Sequence, residues 1–194
     1  MSGKNIFLDC GGHFGEGLLA LIDKYKMDST WIIHTFEPNP AALVKLEETV
    51  KSLPQLNITL HKGAVLDFDG VAKFSVQTNS TGAGSIDALM NSGVCADPNS
   101  ISFRPHDTII NVKATDISGM VLKYSPEDTI ILKLDVEGSE FRILRKLLKD
   151  GLMSRIKHLY IEWHDIYMTS ETNETKTNLL NSIVSSGTNV SVWG

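Results

Sequence analysis

Cysteine is scarce: the 194 residues hold two, Cys10 and Cys95, far apart and in no C-x-x-C pair. That excludes a disulfide framework and a zinc ribbon, and it points to a reduced, cytoplasmic setting. A basic block is missing too, and the formal net charge is -5. A general nucleic-acid binder needs a basic stripe, so the composition argues against one. No apolar run approaches the roughly 18–20 residues that a membrane span needs. The opening residues, MSGKNIFLD, contain no signal-peptide core. Internal repeats, linkers and charge runs are absent as well. What remains is a chain of ordinary domain length with 42% hydrophobic residues, enough for a real core. One domain over residues 1–194 is expected.

The pattern that is present alternates strand and helix. Residues 5–9 (NIFLD) and 31–37 (WIIHTFE) read as buried strands, and 57–65 (NITLHKGAV) as a third. A helix over 16–26 presents Leu18, Leu19 and Ile22 on one face. A second opens at Asn39-Pro40, a capping residue followed by a proline that suits the first helical position. Its apolar stripe is Leu43, Leu46, Val50 and Leu53. Segments 71–77 and 108–115 alternate apolar and polar residues, the mark of a more exposed sheet. Between them lie some thirty residues rich in Gly, Ser and Asn, read as a substrate-side lid or insertion over 78–108. Regularity returns with strands at 129–135 (TIILKLD), 156–163 (IKHLYIEW) and 189–193. Helices over 139–149 and 174–185 separate them, each stopped by a glycine. The fold class is therefore α/β: a doubly wound, mostly parallel sheet with helices on both faces, a three-layer sandwich.

Ligands of such sheets bind outside the carboxyl ends of the strands. The first strand runs into Asp9-Cys10-Gly11-Gly12-His13-Phe14-Gly15. A dinucleotide fingerprint, G-x-G-x-x-G, fits in neither register, because His13 or Phe14 falls on its second glycine. A phosphate loop requires G-K-[ST], which does not follow. The remaining frame is D-x-G-x-x-x-G, in which glycines let a ligand approach bare backbone. An acidic neighbour there attracts an ammonium or sulfonium and repels a phosphate. The second strand ends Glu37-Pro38-Asn39, where a carboxylate can bind a ribose diol or charge a helix start. The third ends with Ala64 and Val65, suited to an adenine face or to the core. After the fourth come Asp135, Glu137 and Glu140, and Asp135 closes an otherwise apolar strand, where a carboxylate is costly unless used. After the fifth, Glu162 and His164 share a face, and His164 can take a proton from a substrate hydroxyl or make a structural hydrogen bond.

In that order, FLDCGGHFGEG, TFEPNP, LKLDVEGSEFRIL and LYIEWH resemble the FkbM family of S-adenosylmethionine-dependent methyltransferases. The resemblance runs from about Ile6 to His164. It implies the Rossmann-like class I methyltransferase fold, S-adenosyl-L-methionine as cofactor with S-adenosyl-L-homocysteine as product, and O-methylation of a hydroxyl on a sugar or related small molecule. By that resemblance Asp9 and the loop Gly11, Gly12, His13 and Gly15 hold the methionine end. Glu37 with Pro38 holds the ribose, Ala64 and Val65 flank the adenine, and Asp135 stands near the sulfonium. The segment GAGSID, residues 82–87, resembles one that faces substrate in such proteins. The usual fold ends in an antiparallel edge pair, and only one strand follows the last helix here. The resemblance therefore leaves 71–77 or 108–115 to complete the sheet, or a minimal version of the fold.

The expected reaction is in-line attack of a substrate oxygen on the cofactor methyl, with positioning as the main source of rate. His164 is the first candidate base, ahead of Asp135 and Glu137. No metal is expected, although Asp135, Glu137, Glu162 and His164 are all residue types that ligate divalent ions. The rival functions are an NAD(P)-dependent reductase, disfavoured by the failed fingerprint, and a non-catalytic relative that kept the cofactor site. The partner is a small-molecule or glycan acceptor.

Overall fold

The computed structural model describes residues 3–76, 93–94, 108–164 and 171–193. The first half of the chain forms β1 (Asn5–Cys10), α1 (Glu16–Tyr25), β2 (Ile32–Glu37), α2 (Pro40–Lys51) and β3 (Ile58–Lys62). A smaller group follows: β4 (Ala64–Leu66), β5 (Gly70–Val76), β6 (Gly93–Val94) and β7 (Thr108–Asp116). The chain then runs through α3 (Ile117–Leu122), β8 (Thr129–Leu134), α4 (Glu140–Lys149), β9 (Ile156–Ile161), α5 (Asn173–Ser185) and β10 (Asn189–Val192).

Six strands build the main sheet in the order β10-β9-β8-β1-β2-β3, and every pair is parallel. Central β1 and β8 are buried and mostly apolar, because both faces of the sheet are covered. On one side Phe7, Ile33 and Ile131 pack with Leu18 and Leu21 of α1 and Leu46 of α2. On the other, Leu8, Leu132 and Leu134 pack with Ile117 and Met120 of α3, Phe141 and Leu144 of α4, and Ile183 of α5. Each such buried side chain contributes about 1.5–3 kcal/mol, so two cores fix the sheet between two helix layers. The expected three-layer α/β class is the fold observed.

Local signals explain the helix starts. Asn39 caps α2, its side-chain oxygen accepting the Ala41 N–H at 3.0 Å, with Pro40 at the first helical position. Thr172 and Thr175 close a reciprocal capping box on α5. In α1 the buried face is Gly17, Leu18 and Leu21, and Leu19 is 44% exposed. The expected stripe of Leu18, Leu19 and Ile22 is thus rotated, because Leu21 continues the 3–4 spacing from Leu18. No helix among the described residues is long and apolar enough to cross a membrane.

The third strand departs from expectation. Residues 57–65 are not one strand but two, β3 and β4, in different sheets. The break is Gly63. Its N–H donates to the Glu37 carbonyl at 3.0 Å, still on the main sheet, and the next residue, Ala64, already pairs with Ala114 of β7. Segments 71–77 and 108–115 do not complete the main sheet. They pair with each other, antiparallel, in a second sheet ordered β4-β7-β5-β6. Its own small core includes Ala64, Leu66, Ala72, Phe74 and Ala114. Apart from β6 and residue 108, the lid expected over 78–108, with segment 82–87, lies outside the described residues.

A side chain at Gly63 has no room: a Cβ there stands 2.5 Å from the Lys113 carbonyl oxygen, a backbone atom that cannot swing away. Gly63→Ala is expected to lower stability by about 1–3 kcal/mol, the usual cost of overpacking. Urea unfolding checks this, and an unchanged midpoint contradicts it.

Candidate functional site

The strand order reverses beside β1, which lies between β2 and β8. At this switch point the carboxyl ends of three strands converge. A cleft opens there. Gly11, Glu37 and Pro38 line it from the first two strand ends, Ala64 and Val65 from β4, and Asp135 and Glu137 from the turn after β8. Phe36, Phe74 and Val136 complete the lining. Seven of the sequence-derived site residues therefore meet on one cavity, and the second sheet supplies its apolar wall.

The glycine loop is shaped mostly by the protein's own contacts. Gly11 has φ 88° and Gly15 φ 103°, both left-handed. A Cβ on Gly11 stands 1.7 Å from the Asp135 carbonyl oxygen, so glycine lets the ends of β1 and β8 pass. A Cβ on Gly12 meets Thr35 and Leu46, and one on Gly15 meets Thr49. The room left by these glycines is filled from within. Only Gly11 lines the cleft. The N–H groups of Gly11 and Gly12 both donate to the Phe36 carbonyl, at 3.1 and 2.8 Å, fixing the loop to the end of β2. His13, at φ 47°, stacks its ring on Phe14. Its N–H donates to Glu37 at 2.8 Å.

Glu37 is almost wholly buried and accepts a second bond, from the Asn39 N–H at 2.7 Å. Burial pushes its carboxyl up to about 7, against the pull of these two N–H donors. Asp9 lies below the loop with no exposed surface. It accepts the Thr35 hydroxyl at 2.6 Å and stands 3.6 Å from the Lys133 ammonium. Pairing places Lys133, Asp9 and Thr35 in one row across β8, β1 and β2. Lys133, also buried, donates to the Gly11 carbonyl at 2.8 Å and to Asp135 at 3.1 Å. Burial alone would push this ammonium's pKa down. Asp9 and Asp135 outweigh that and hold it above its ordinary value, so it is charged. Sequence reasoning missed Lys133, and the available signal was a lone cation inside an apolar strand.

The second missed group is Glu140. It is wholly buried and accepts the Val136 and Gly138 N–H groups at 3.0 Å each, which folds the turn carrying Glu137 at φ 54° and Gly138 at φ 104°. It also binds His164 Nδ1 at 2.8 Å. The other ring nitrogen of His164 stands 3.5 Å from Glu137, 3.9 Å from Glu162 and 4.0 Å from Asp135. Burial would lower this imidazole's pKa. The surrounding carboxylates, Glu140 first, raise it to about 9. His164 is thus held as a cation, which donates rather than accepts. Burial and the neighbouring Asp135, Glu140 and Glu162 push Glu137 up to about 7 against His164. Of the four metal-ligating side chains read from the sequence, Asp135, Glu137 and His164 bring ligand atoms within 4.8 Å of one another.

The family described as the methyltransferase FkbM domain matches residues 9–181. A crystal structure of Methyltransferase FkbM from Methylobacillus flagellatus KT is similar to this chain, with a TM-score of 0.55 and 19% identity. The match covers 95% of this chain and 37% of that one, and at such identity it speaks for the fold alone. None of the curated proteins matches at a significant level.

Two outcomes follow from the buried charges. Glu37 has a folded pKa above its unfolded one, so its contribution to stability is full below about pH 4.5 and is lost as pH rises through about 7. A carbon-detected NMR titration of its carboxyl is expected to show a midpoint near 7. An ordinary carboxylate midpoint contradicts the burial argument. Lys133→Met strands Asp9 and is expected to cost about 3–5 kcal/mol, much of it recovered in the double variant with Asp9→Asn. Additive losses in chemical unfolding contradict a coupled pair.

Proposed function

The chain belongs to the FkbM methyltransferase family, and from that membership we propose that it transfers a methyl group from S-adenosylmethionine to a hydroxyl of a small-molecule or glycan acceptor. The observation that carries this reading is the cleft at the switch point, which joins one buried acidic side chain, one small apolar wall and one acidic end. Glu37 faces the cleft with its carboxylate orientation fixed by two N–H donors, leaving lone pairs for a ribose diol. Ala64 and Val65 offer small apolar surface beside it for the adenine. Gly11 leads to the amino-acid end, and Asp9 supports it from below through Lys133. His13 holds the loop through Glu37, and beside Gly15 the Thr49 hydroxyl donates to the Phe14 carbonyl at 2.8 Å.

The acidic end then receives the cationic part of the cofactor. A sulfonium beside Asp135 and Glu137 is stabilised by opposite charge in a partly dry site. An acceptor oxygen in line with the methyl needs to lose a proton as it attacks, and Asp135 and Glu137, rather than the cationic His164, are the carboxylates that can take it. Asp135 has the firmer geometry of the two, since Lys133 holds one of its oxygens at 3.1 Å. Holding oxygen and methyl in line is worth roughly 7–11 kcal/mol of barrier, so a good leaving group and a rigid pocket need little further help.

Isothermal calorimetry separates this reading from its rivals. S-adenosylhomocysteine and S-adenosylmethionine are expected to bind with measurable heat, and NAD(P) with none. Heat from NAD(P) alone points to the reductase. No heat from either sulfur compound overturns the methyltransferase reading. Transfer of labelled methyl to a panel of sugars distinguishes an enzyme from a binding relative.

A further inference from the structure

Asp135 and Glu137 lie two residues apart in the turn after β8, and His164 lies just beyond β9. Since β8 and β9 are neighbours in the sheet, the three donor groups meet at one spot beside the cleft. Their ligand atoms all lie within 4.8 Å of one another. From His164 Nε2 it is 3.5 Å to Glu137 Oε2 and 4.0 Å to Asp135 Oδ1. These distances exceed a direct hydrogen bond. They match ligands around one ion: bonds of about 2.0–2.2 Å at tetrahedral or octahedral angles put donor atoms about 3–4.5 Å apart. Glu137 is half-exposed and can adjust the last few tenths of an ångström.

The imidazole is aimed from outside the group. Glu140, wholly buried, occupies the far ring nitrogen at 2.8 Å. A carboxylate only accepts, so Nδ1 keeps its proton in that bond, and Nε2, which faces Asp135 and Glu137, gives up its own proton to solvent when an ion binds. Glu140 is itself pinned by the Val136 and Gly138 N–H groups and cannot turn toward an ion. A carboxylate behind the distal nitrogen of an inward-facing histidine is the support that orients histidine ligands on metals.

We propose that Asp135, Glu137 and His164 form a binding site for one divalent cation of the Mn²⁺ or Zn²⁺ class. One imidazole with two carboxylates suits these ions better than Ca²⁺ or Mg²⁺, which favour oxygen throughout. Three protein ligands leave positions open. On the methyltransferase reading, an acceptor hydroxyl would occupy one of them, where the ion would lower its pKa so that its proton could pass to solvent. Binding of the ion itself does not depend on that reading.

Mn²⁺ is titrated into the cofactor-free chain while the electron paramagnetic resonance signal of free Mn²⁺ is followed. One ion per chain is expected. His164→Asn and Glu137→Gln each weaken binding at least about tenfold. His158→Asn, remote from the group, leaves it unchanged. Glu137 is half-exposed, so its variant tests the site even if the His164 variant fails to fold. No binding of Mn²⁺ or of Zn²⁺, or equal binding in both site variants, overturns the proposal. S-adenosylhomocysteine heat without Mn²⁺ binding leaves the methyltransferase reading standing and removes this one. Mn²⁺ binding without that heat does the reverse.

Discussion

The contact of Lys133 with Asp9, Asp135 and the Gly11 carbonyl is the constraint on which the rest of the site depends. It places one ammonium between two carboxylates under the floor of the cleft. An ion pair so deep contributes little net stability, but removing one partner costs several kcal/mol. Its value lies in geometry. Lys133 ties the end of β1 to the end of β8 at the point where Gly11 already passes the Asp135 backbone. Gly17 of α1 keeps the lysine's path open, because a Cβ there stands 2.5 Å from Lys133 Cε. The glycine loop, the first helix and the turn after β8 thus share one buried charge.

That arrangement divides the acidic residues into two populations. Asp9, Glu37 and Glu140 are buried and spend their oxygens on Thr35, on backbone N–H groups and on His164. They shape the strand ends. Asp135, Glu137 and Glu162 are half-exposed and crowd one another around His164. They define a place where positive charge is favoured. The proposed sulfonium and the proposed ion would draw on the same acids, because like charges this close gain most from a cation between them. The small sheet contributes what the acids do not. Ala64, Val65 and Phe74 give the cleft a dry side, and they reach it only because Gly63 lets the chain change sheets.

Much of this was legible in the sequence. Continuous apolar strands, alternating with helices at clear caps such as Asn39, gave the parallel sheet and its layers. Reading the strand ends first found Gly11, Glu37, Ala64, Val65, Asp135 and Glu137, since that is where such sheets bind. Partners across strands were not legible. Lys133 faces Asp9 only through the register of β8 on β1, which spans more than a hundred residues. Glu140 looked like an ordinary acid at a helix start, and its hold on His164 depends on the neighbouring β9. The split at Gly63 was hidden because residues on both sides of it have strand character. The role given to the glycines was also incomplete. A missing Cβ marks a close approach, and here the approaching atoms are mostly those of Asp135, Thr35, Leu46 and Thr49.

The most direct test of the account is a crystal structure with S-adenosylhomocysteine bound. The account predicts the ribose hydroxyls within hydrogen-bond reach of Glu37, the adenine against Ala64 and Val65, and the sulfur facing Asp135. Product bound elsewhere, or in the cleft with its ribose out of reach of Glu37, contradicts it.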